Sequence, residues 1–448
     1  MGFAMEEHYD LVVVGAGACG LVAALAASDA GKRVIVLEKL DSPGGNTTLS
    51  TGSVPGADTR FQREAGIEDS PERMVADLLR TSGPHDAEHL VSLMAESSAE
   101  VIEWLVDEHE VGLYLITDYK HVGHTVPRLH APADRNGANL TADLVRACEH
   151  AGVPIATRTT VTGLLTDGVG DPGMAGGPGV ARVTGVTVET ADGEVREIRA
   201  AAVLLASNGF GASRALLERW IPVMAETPYH GAAGSTGDAI SWAEGLGAAL
   251  ANETAYQAYA VVATDEGDIL SWTTVEFGAV IVGPDGRRLG DESVGYSAFA
   301  EVIASQADES WTIMDTRIRD YVAGNEPRFV KIIDLGCVPE ARDLPALAEL
   351  IGCEPDVLAA SLDGTGLEAP FFACRTHPAM FHTQGGVVVD EHARVVSTAG
   401  APIAGLYAGG GVAAGISGRT GAAGYASGNG LSTAVGLGYA AGRHVGGR

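Results

Sequence analysis

Basic residues are scarce. Against 58 aspartates and glutamates, the chain of 448 residues has 29 lysines and arginines and a formal net charge of −29. A surface this acidic repels phosphate backbones and anionic headgroups, so nucleic-acid binding and adhesion to an anionic membrane are excluded. Cysteine is scarcer still: Cys19, Cys148, Cys337, Cys353 and Cys374 lie far apart, with no CxxC, CxxCH or iron–sulfur spacing. That scatter excludes a disulfide framework, an attached haem and a cysteine-held cluster, and it suits reduced thiols in a cytoplasmic protein. Apolar runs fall short of the roughly 20 residues that a membrane-crossing helix needs. The run near the start follows Glu6, Glu7 and Asp10 instead of lysine or arginine, the wrong flank for a secretory leader.

Glycine is what the chain has in quantity: 60 residues, clustered in turns and forming no repeat. With 46% hydrophobic residues, the composition is that of a well-buried globular protein, and the length suits two domains. The most informative stretch runs from Asp10 to Lys39, DLVVVGAGACGLVAALAASDAGKRVIVLEK. It reads as an apolar strand, a Gly15-x-Gly17-x-x-Gly20 turn, a helix of small residues and a second strand ending in Glu38. Gly15 permits the tight turn, Gly17 lets backbone approach a pyrophosphate, and Gly20 allows the helix to pack closely on the strand. The helix start then offers N–H groups to phosphate. Glu38, about 20 residues on, is the acid that accepts from an adenosine ribose.

Further along, DSPE (Asp69 to Glu72) starts helical periodicity that runs to Glu110, and Asn139 to Gly152 is helical again. Short strands follow at Ile155–Thr166, Ala181–Thr190 and Glu197–Ala206, with an exposed loop expected around Gly176. The texture changes near Asn252, with helical pieces around Val302 and Leu347, and glycine-rich style returns after His377. A first domain split by an insertion accounts for this pattern.

Six separated motifs occur in order: GGNTTLSTG (Gly44 to Gly52), LLASNGFG (Leu204 to Gly211), STGDAISWAEGLGA (Ser235 to Ala248), HTQGGVVVD (His382 to Asp390), GLYAGGG (Gly405 to Gly411) and SGNGLSTAVGLGYAAG (Ser427 to Gly442). Together with the fingerprint they resemble the fumarate reductase/succinate dehydrogenase flavoprotein superfamily. The nearer likeness is to its soluble single-chain members, such as 3-ketosteroid dehydrogenases and tricarballylate dehydrogenase-like proteins. The resemblance implies an α/β fold: a discontinuous Rossmann-like FAD-binding domain, 1–251 and 379–448, with an inserted α+β capping domain, 252–378. It implies FAD held by Gly15, Gly17, Ala18, Gly20, Glu38 and Lys39, by Gly45, Asn46, Thr47 and Gly52, and by Val161, Ala206, Ser207, Gly209 and Gly410. Gly430 and Leu431 match positions that face the flavin from the start of the last helix, where the dipole stabilises a reduced, anionic ring.

Two departures matter. Gly411 stands where the family usually has an acid or Asn for the ribityl chain. Relatives with covalent flavin carry His after the GG pair, whereas this chain has Asn46, Thr47 and Thr48, so dissociable FAD is expected.

The chemistry the resemblance implies is making or breaking a C–C double bond beside a ketone or carboxylate, with a small-molecule substrate, an external electron acceptor and no metal. The alternatives are an amine or amino-acid oxidase resembling L-aspartate oxidase and an electron-transfer subunit. Four residues are candidates for the reaction. His382 matches a substrate-binding His, or makes a structural hydrogen bond. Arg319, in MDTRIRD, matches a proton-donating Arg, or pairs with Asp315 or Asp320 on a helix surface. Arg419 either anchors a carboxylate bidentately or caps a neighbouring helix. Tyr425 replaces the Arg of the dicarboxylate clamp, which speaks against fumarate or succinate; tyrosines in ketosteroid dehydrogenases polarise a ketone and abstract a proton, while the alternative is that Tyr425 simply packs with its hydroxyl on backbone. Tyr259 is a weaker substrate contact. His121, His124 and His130 lack zinc spacing and are expected in a loop beside the pocket, where Arg128 meets an acidic substrate, or in an exposed loop.

Overall fold

The computed structural model describes residues 8–117, 121–167, 182–264 and 268–447. The loop expected around Gly176 lies outside them. The fingerprint strand His8–Val14 is apolar and buried from Leu11 to Val14 and lies between Val34–Leu37 and Val195–Leu205, both parallel to it. Ile155–Ala156 extends this sheet on one side, and Pro402–Ala408 adds a parallel strand on the other. Val14 is level with Leu37 and with Leu205, which in turn is level with Ala408. Gly15, Glu38, Ala206 and Gly409 therefore emerge along one carboxyl edge, where ligands of such sheets bind. Thr160–Asp167, Arg182–Glu189 and Val195–Leu205 form an antiparallel meander joined to the sheet through their last strand.

Two helices close the face of this sheet. The fingerprint helix Ala18–Ser28 is buried along nearly its whole length and packs on the C-terminal helix Asn429–Gly446. Small residues set that distance. A Cβ on Gly20 would overlap the Gly15 carbonyl, and one on Gly438 would overlap the carbonyl of Cys19. The helices expected after Asp69 are Pro71–Ser82, capped by the Ser70 hydroxyl accepting from Arg73 N at 3.2 Å, and Glu88–Asp107. The helix expected from Asn139 starts two residues earlier, at Gly137, and runs to His150.

A second, mostly antiparallel sheet is built on the long strand Phe371–Thr383, flanked by Thr254–Ala263 and Ser310–Asp315, with Val280–Val282 beyond the latter. Helices Tyr296–Ala304, Thr316–Asn325, Pro327–Asp334, Leu344–Ile351 and Pro355–Leu362 surround it. The register pairs Gln257 with His382, so the strand end carrying His382 runs back toward the first sheet. All five cysteines are free. Among the described residues no helix is long and apolar enough to cross a membrane.

Candidate active site

A cleft of about 1060 Å³ opens along the carboxyl edge of the first sheet and continues beneath the second. Its first part is a cradle of backbone. Gly15 has φ +106°, and a Cβ there would sit 2.6 Å from the Ala206 carbonyl oxygen, so the turn requires glycine. Glu38 anchors the turn: one carboxylate oxygen accepts from Ala16 N and the other from Leu40 N, both at 2.9 Å. Each oxygen keeps a second lone pair for a ribose hydroxyl. The Thr47 hydroxyl accepts from Ala18 N at 3.0 Å, tying the GGNTT loop to the helix start. Asn46 ties the GGNTT loop to the second sheet and to the loop at Ala232, donating to the Phe381 carbonyl at 3.2 Å and accepting from Ala232 N at 2.6 Å. At Gly17 a Cβ would lie 3.6 Å from the Gly44 carbonyl oxygen and from the Thr47 hydroxyl, in ordinary contact, and the residue lines the cleft. Lys39, Gly45, Val161, Ala206, Ser207 and Gly410 line the same walls.

Gly20, Gly52 and Gly209 do not line the cleft, and the structure gives each a packing role instead. A Cβ on Gly209 would overlap the Thr383 hydroxyl, one on Gly52 would approach Pro132 to 2.9 Å, and Gly20 seats the helix on the strand. Gly411 does line the cleft, and a Cβ there would overlap Asn208 Oδ1. Asn208 adopts φ +67°, also lines the cleft, and donates to the Ser235 hydroxyl at 2.8 Å. The space that an acid at position 411 would occupy is thus filled by an amide from the ASNG turn.

The second part of the cleft gathers His382, Tyr425 and Tyr296 at the start of the C-terminal helix. The His382 ring lies within 3.3 Å of where a Cβ on Gly430 would be, and its centroid is 5.5 Å from that of Tyr425. Gln384 Nε2 sits 3.1 Å from His382 Nδ1. Burial holds the imidazole near pKa 4, so it is neutral at physiological pH. Burial, with Tyr296 beside it, pushes the Tyr425 phenol well up, against an opposing hydrogen bond from the Gly430 N–H. Burial takes Tyr296 up to about 12, offset in part by a hydrogen bond from Ser427 and reinforced by the charge of Glu276. Both phenols therefore keep their protons at neutral pH and stand as donors. Tyr259 also lines the wall, but its hydroxyl is engaged, donating to the Leu270 carbonyl and accepting from Trp272 N.

Tyr296, Trp272, Glu276 and Asn208 are cleft residues that motif reasoning missed. Tyr296 follows Gly295 (φ +90°) at a helix start and carries no signature of its own.

Three arginines are elsewhere. Arg319 does not line the cleft: its guanidinium pairs with Asp320 at 2.7 Å and lies 4.4 Å over the Phe372 ring, so the helix-surface alternative describes it. Arg419 also stands outside the cleft wall, paired with Asp86 at 2.6 Å. Arg128 does not line the cleft. It is fully buried between Asp69 (2.6 and 2.7 Å) and Asp77 (2.6 Å). His124 continues this cluster, with Nδ1 3.4 Å from Arg128 Nη1 and Nε2 2.8 Å from the Ser427 carbonyl. Since that carbonyl can only accept, His124 carries its proton on Nε2. The buried ions thus hold the loop that ends at Tyr425 and Ser427. His130 is buried against the Thr59 hydroxyl at 3.0 Å, and His121 lines the cleft. Among the described residues no group of three or more His, Cys, Asp or Glu is placed to hold a metal ion.

The protein-family model described as an FAD binding domain matches residues 10–431. The chain is 28% identical over 439 residues to an NADH:fumarate oxidoreductase of Klebsiella pneumoniae, covering 93% of this chain and 45% of that enzyme. The chain therefore spans about half the length of that relative. A flavocytochrome c3 fumarate reductase in its open conformation superposes with a TM-score of 0.82 at 26% identity, covering 99% of this chain and 79% of the other. A 3-ketosteroid-delta4-(5alpha)-dehydrogenase from Rhodococcus jostii RHA1 superposes with a TM-score of 0.77 over 99% of this chain and 98% of its own, at 24% identity, a likeness of fold.

Proposed function

Because this chain belongs to the FAD binding domain family, we propose that it is an FAD-dependent oxidoreductase acting on a carbon pair beside a carbonyl. It makes or removes a C–C double bond in a small molecule and exchanges electrons with an external partner. The observation that carries this reading is the meeting of Tyr425, Tyr296 and His382 at the start of the C-terminal helix, inside the same cleft as the dinucleotide cradle. The names of the relatives, a fumarate oxidoreductase and a fumarate reductase, support the same reaction class.

The residues present fit FAD. The cleft-lining backbone at Gly17, the N–H groups of the helix start and Glu38 would hold its pyrophosphate and adenosine. Asn46, Thr47 and Asn208 would line its middle, and Gly430 and Leu431 its ring end. When bound, FAD supplies the two-electron hydride chemistry. The chain supplies the acid–base and electrostatic part. Tyr425, steadied by the Gly430 N–H, donates to the carbonyl oxygen where negative charge develops, next to the positive end of the helix dipole. Tyr296, beside it and hydrogen-bonded by Ser427, gives up its proton to the α-carbon when the double bond is reduced. Neutral His382 orients the substrate as a hydrogen-bond donor. On this reading, residues 1–251 and 379–448 form the cofactor-binding unit and 252–378 cap it; the second sheet draws its strands from the cap except for the end of Phe371–Thr383 and for Thr420–Gly421.

Anaerobic spectroscopy of the FAD-loaded protein tests the proposal. Saturated carbonyl compounds should bleach the oxidised flavin, or conjugated ones should restore the colour of reduced flavin. Bleaching by amines alone would overturn it.

A further inference from the structure

Resting on that reading, we infer that His124 is a positioning residue for the reaction. Through the main chain of Ser427 it fixes where Tyr425 and the hydroxyl of Tyr296 stand. His124 is buried and does not line the cleft, so its effect on the reaction passes through its neighbours.

Tyr425 belongs to a pliable segment. The stretch from Gly418 to Gly428 also holds Gly421 and Gly424, and Gly418, Gly421 and Gly428 all have positive φ. Glycine gives up more conformational freedom than any other residue, so such a segment keeps one shape only where its neighbours hold it. One end is held by the second sheet, where Thr420 and Gly421 pair with Thr254 and Ala255, and by Arg419 on Asp86. The other end is held by the turn at residues 121–125. Ser427 N donates to the Val122 carbonyl at 3.0 Å, and the Ser427 carbonyl accepts from His124 Nε2 at 2.8 Å. Gly123 lies between these two bonds with φ +87°, and a Cβ there would stand 2.4 Å from the Ala426 Cβ. Only glycine lets the two segments come this close. The Ser427 side chain then reaches Tyr296, and Tyr425 is two residues upstream.

An imidazole suits this place because its neutral form offers one donor and one acceptor. Arg128 Nη1, a donor only, stands 3.4 Å from Nδ1, while the Ser427 carbonyl, an acceptor only, faces Nε2. One tautomer satisfies both neighbours. Burial holds the ring near pKa 4, so it is neutral at physiological pH. The turn itself is anchored on helix Pro71–Ser82, where Asp77 accepts from Thr125 N at 2.9 Å and from the Thr125 hydroxyl at 2.7 Å. Hydrogen bonds therefore run from Asp77 through Arg128 and His124 to Ser427.

Two variants separate the two bonds of the ring. In His124→Asn the amide reaches the place of Nδ1, keeps the contact with Arg128 and falls short of Ser427. In His124→Gln the amide reaches the place of Nε2 and donates to the Ser427 carbonyl. Each is loaded with FAD, checked for flavin content and Tm, and mixed anaerobically with a carbonyl compound that reacts with the unsubstituted protein, over a range of concentrations. A reacting group displaced by about 1 Å costs on the order of 100-fold, so His124→Asn should lower the limiting rate by about 10- to 100-fold. Its half-saturating concentration and FAD content should stay as they were, and His124→Gln should restore most of the rate. An Asn variant as fast as the unsubstituted protein, or a Gln variant as slow as the Asn variant, would overturn the inference. Loss of bound FAD from His124→Asn would also overturn it, by marking a role in the fold alone. If the unsubstituted protein reacts with no carbonyl compound in either direction, the parent reading fails and takes this inference with it.

Discussion

Replacing Arg128 with Met removes the cation from a fully buried site. The side chains of Arg128 and Asp69 are fully buried and that of Asp77 nearly so. Three short contacts disappear together, at 2.6, 2.7 and 2.6 Å. Breaking a buried ion pair by removing one partner costs about 3–5 kcal/mol, because the charge left behind is uncompensated. Here two carboxylates are stranded, so the upper end applies, and at least one of them takes up a proton. With an unfolding entropy of ~2.1 cal/mol/K per residue over 448 residues, this amounts to roughly 4–5 °C in Tm if the chain unfolds as a unit.

The pH dependence carries a sign. In the native protein, burial alone would raise Asp77, but hydrogen bonds from Thr125 and Arg128 overcome it and hold the carboxyl well below its usual range. A depressed acid contributes stability that is present above the unfolded pKa of about 3.9 and is lost as pH falls through the folded value. In Arg128→Met the carboxylates become a liability at neutral pH that protonation relieves. The gap between the two proteins should therefore narrow between pH 7 and pH 4. Thermal melts of both across that range are the assay. A loss below about 1 kcal/mol at pH 7, or a gap that widens on acidification, would refute the reasoning.

Gly411→Asp should weaken FAD retention by roughly tenfold or more, because the new side chain collides with Asn208 Oδ1; equilibrium dialysis followed by flavin fluorescence measures it. Denaturation in detergent should release all the flavin into the filtrate, since no His follows the GG pair; colour that stays on the chain would contradict dissociable binding. With the imidazole already neutral, the rate of the half-reaction should show no break from His382 between pH 6 and pH 8, whereas titration there would place a charged imidazole in the site.

The cradle was legible in sequence because each of its parts is local. Gly15, Gly17 and Glu38 act through backbone geometry that a turn of fixed length imposes, and the registers of three parallel strands bring them to one edge. His382 and Tyr425 were found because each adjoins a glycine turn that fixes where it stands. Arg319 and Arg419 stand away from the cleft for a related reason. A motif locates a backbone but does not say which way a long side chain turns, and Asp320 and Asp86 hold these two outward. Arg128 looked like a loop cation because its partners, Asp69 and Asp77, lie 59 and 51 residues away. Tyr296 comes from an element with no motif at all, and only packing of its helix on Thr254–Ala263 brings it beside Tyr425.

The central claim is that the phenol of Tyr425 stabilises charge on a substrate carbonyl. Its most direct test is the anaerobic half-reaction of Tyr425→Phe, with bound FAD quantified in parallel. A lost donor of this kind costs about 100- to 1000-fold in rate. The account predicts a fall of that size with FAD content unchanged. A rate equal to that of the unsubstituted protein, at equal FAD content, would contradict it.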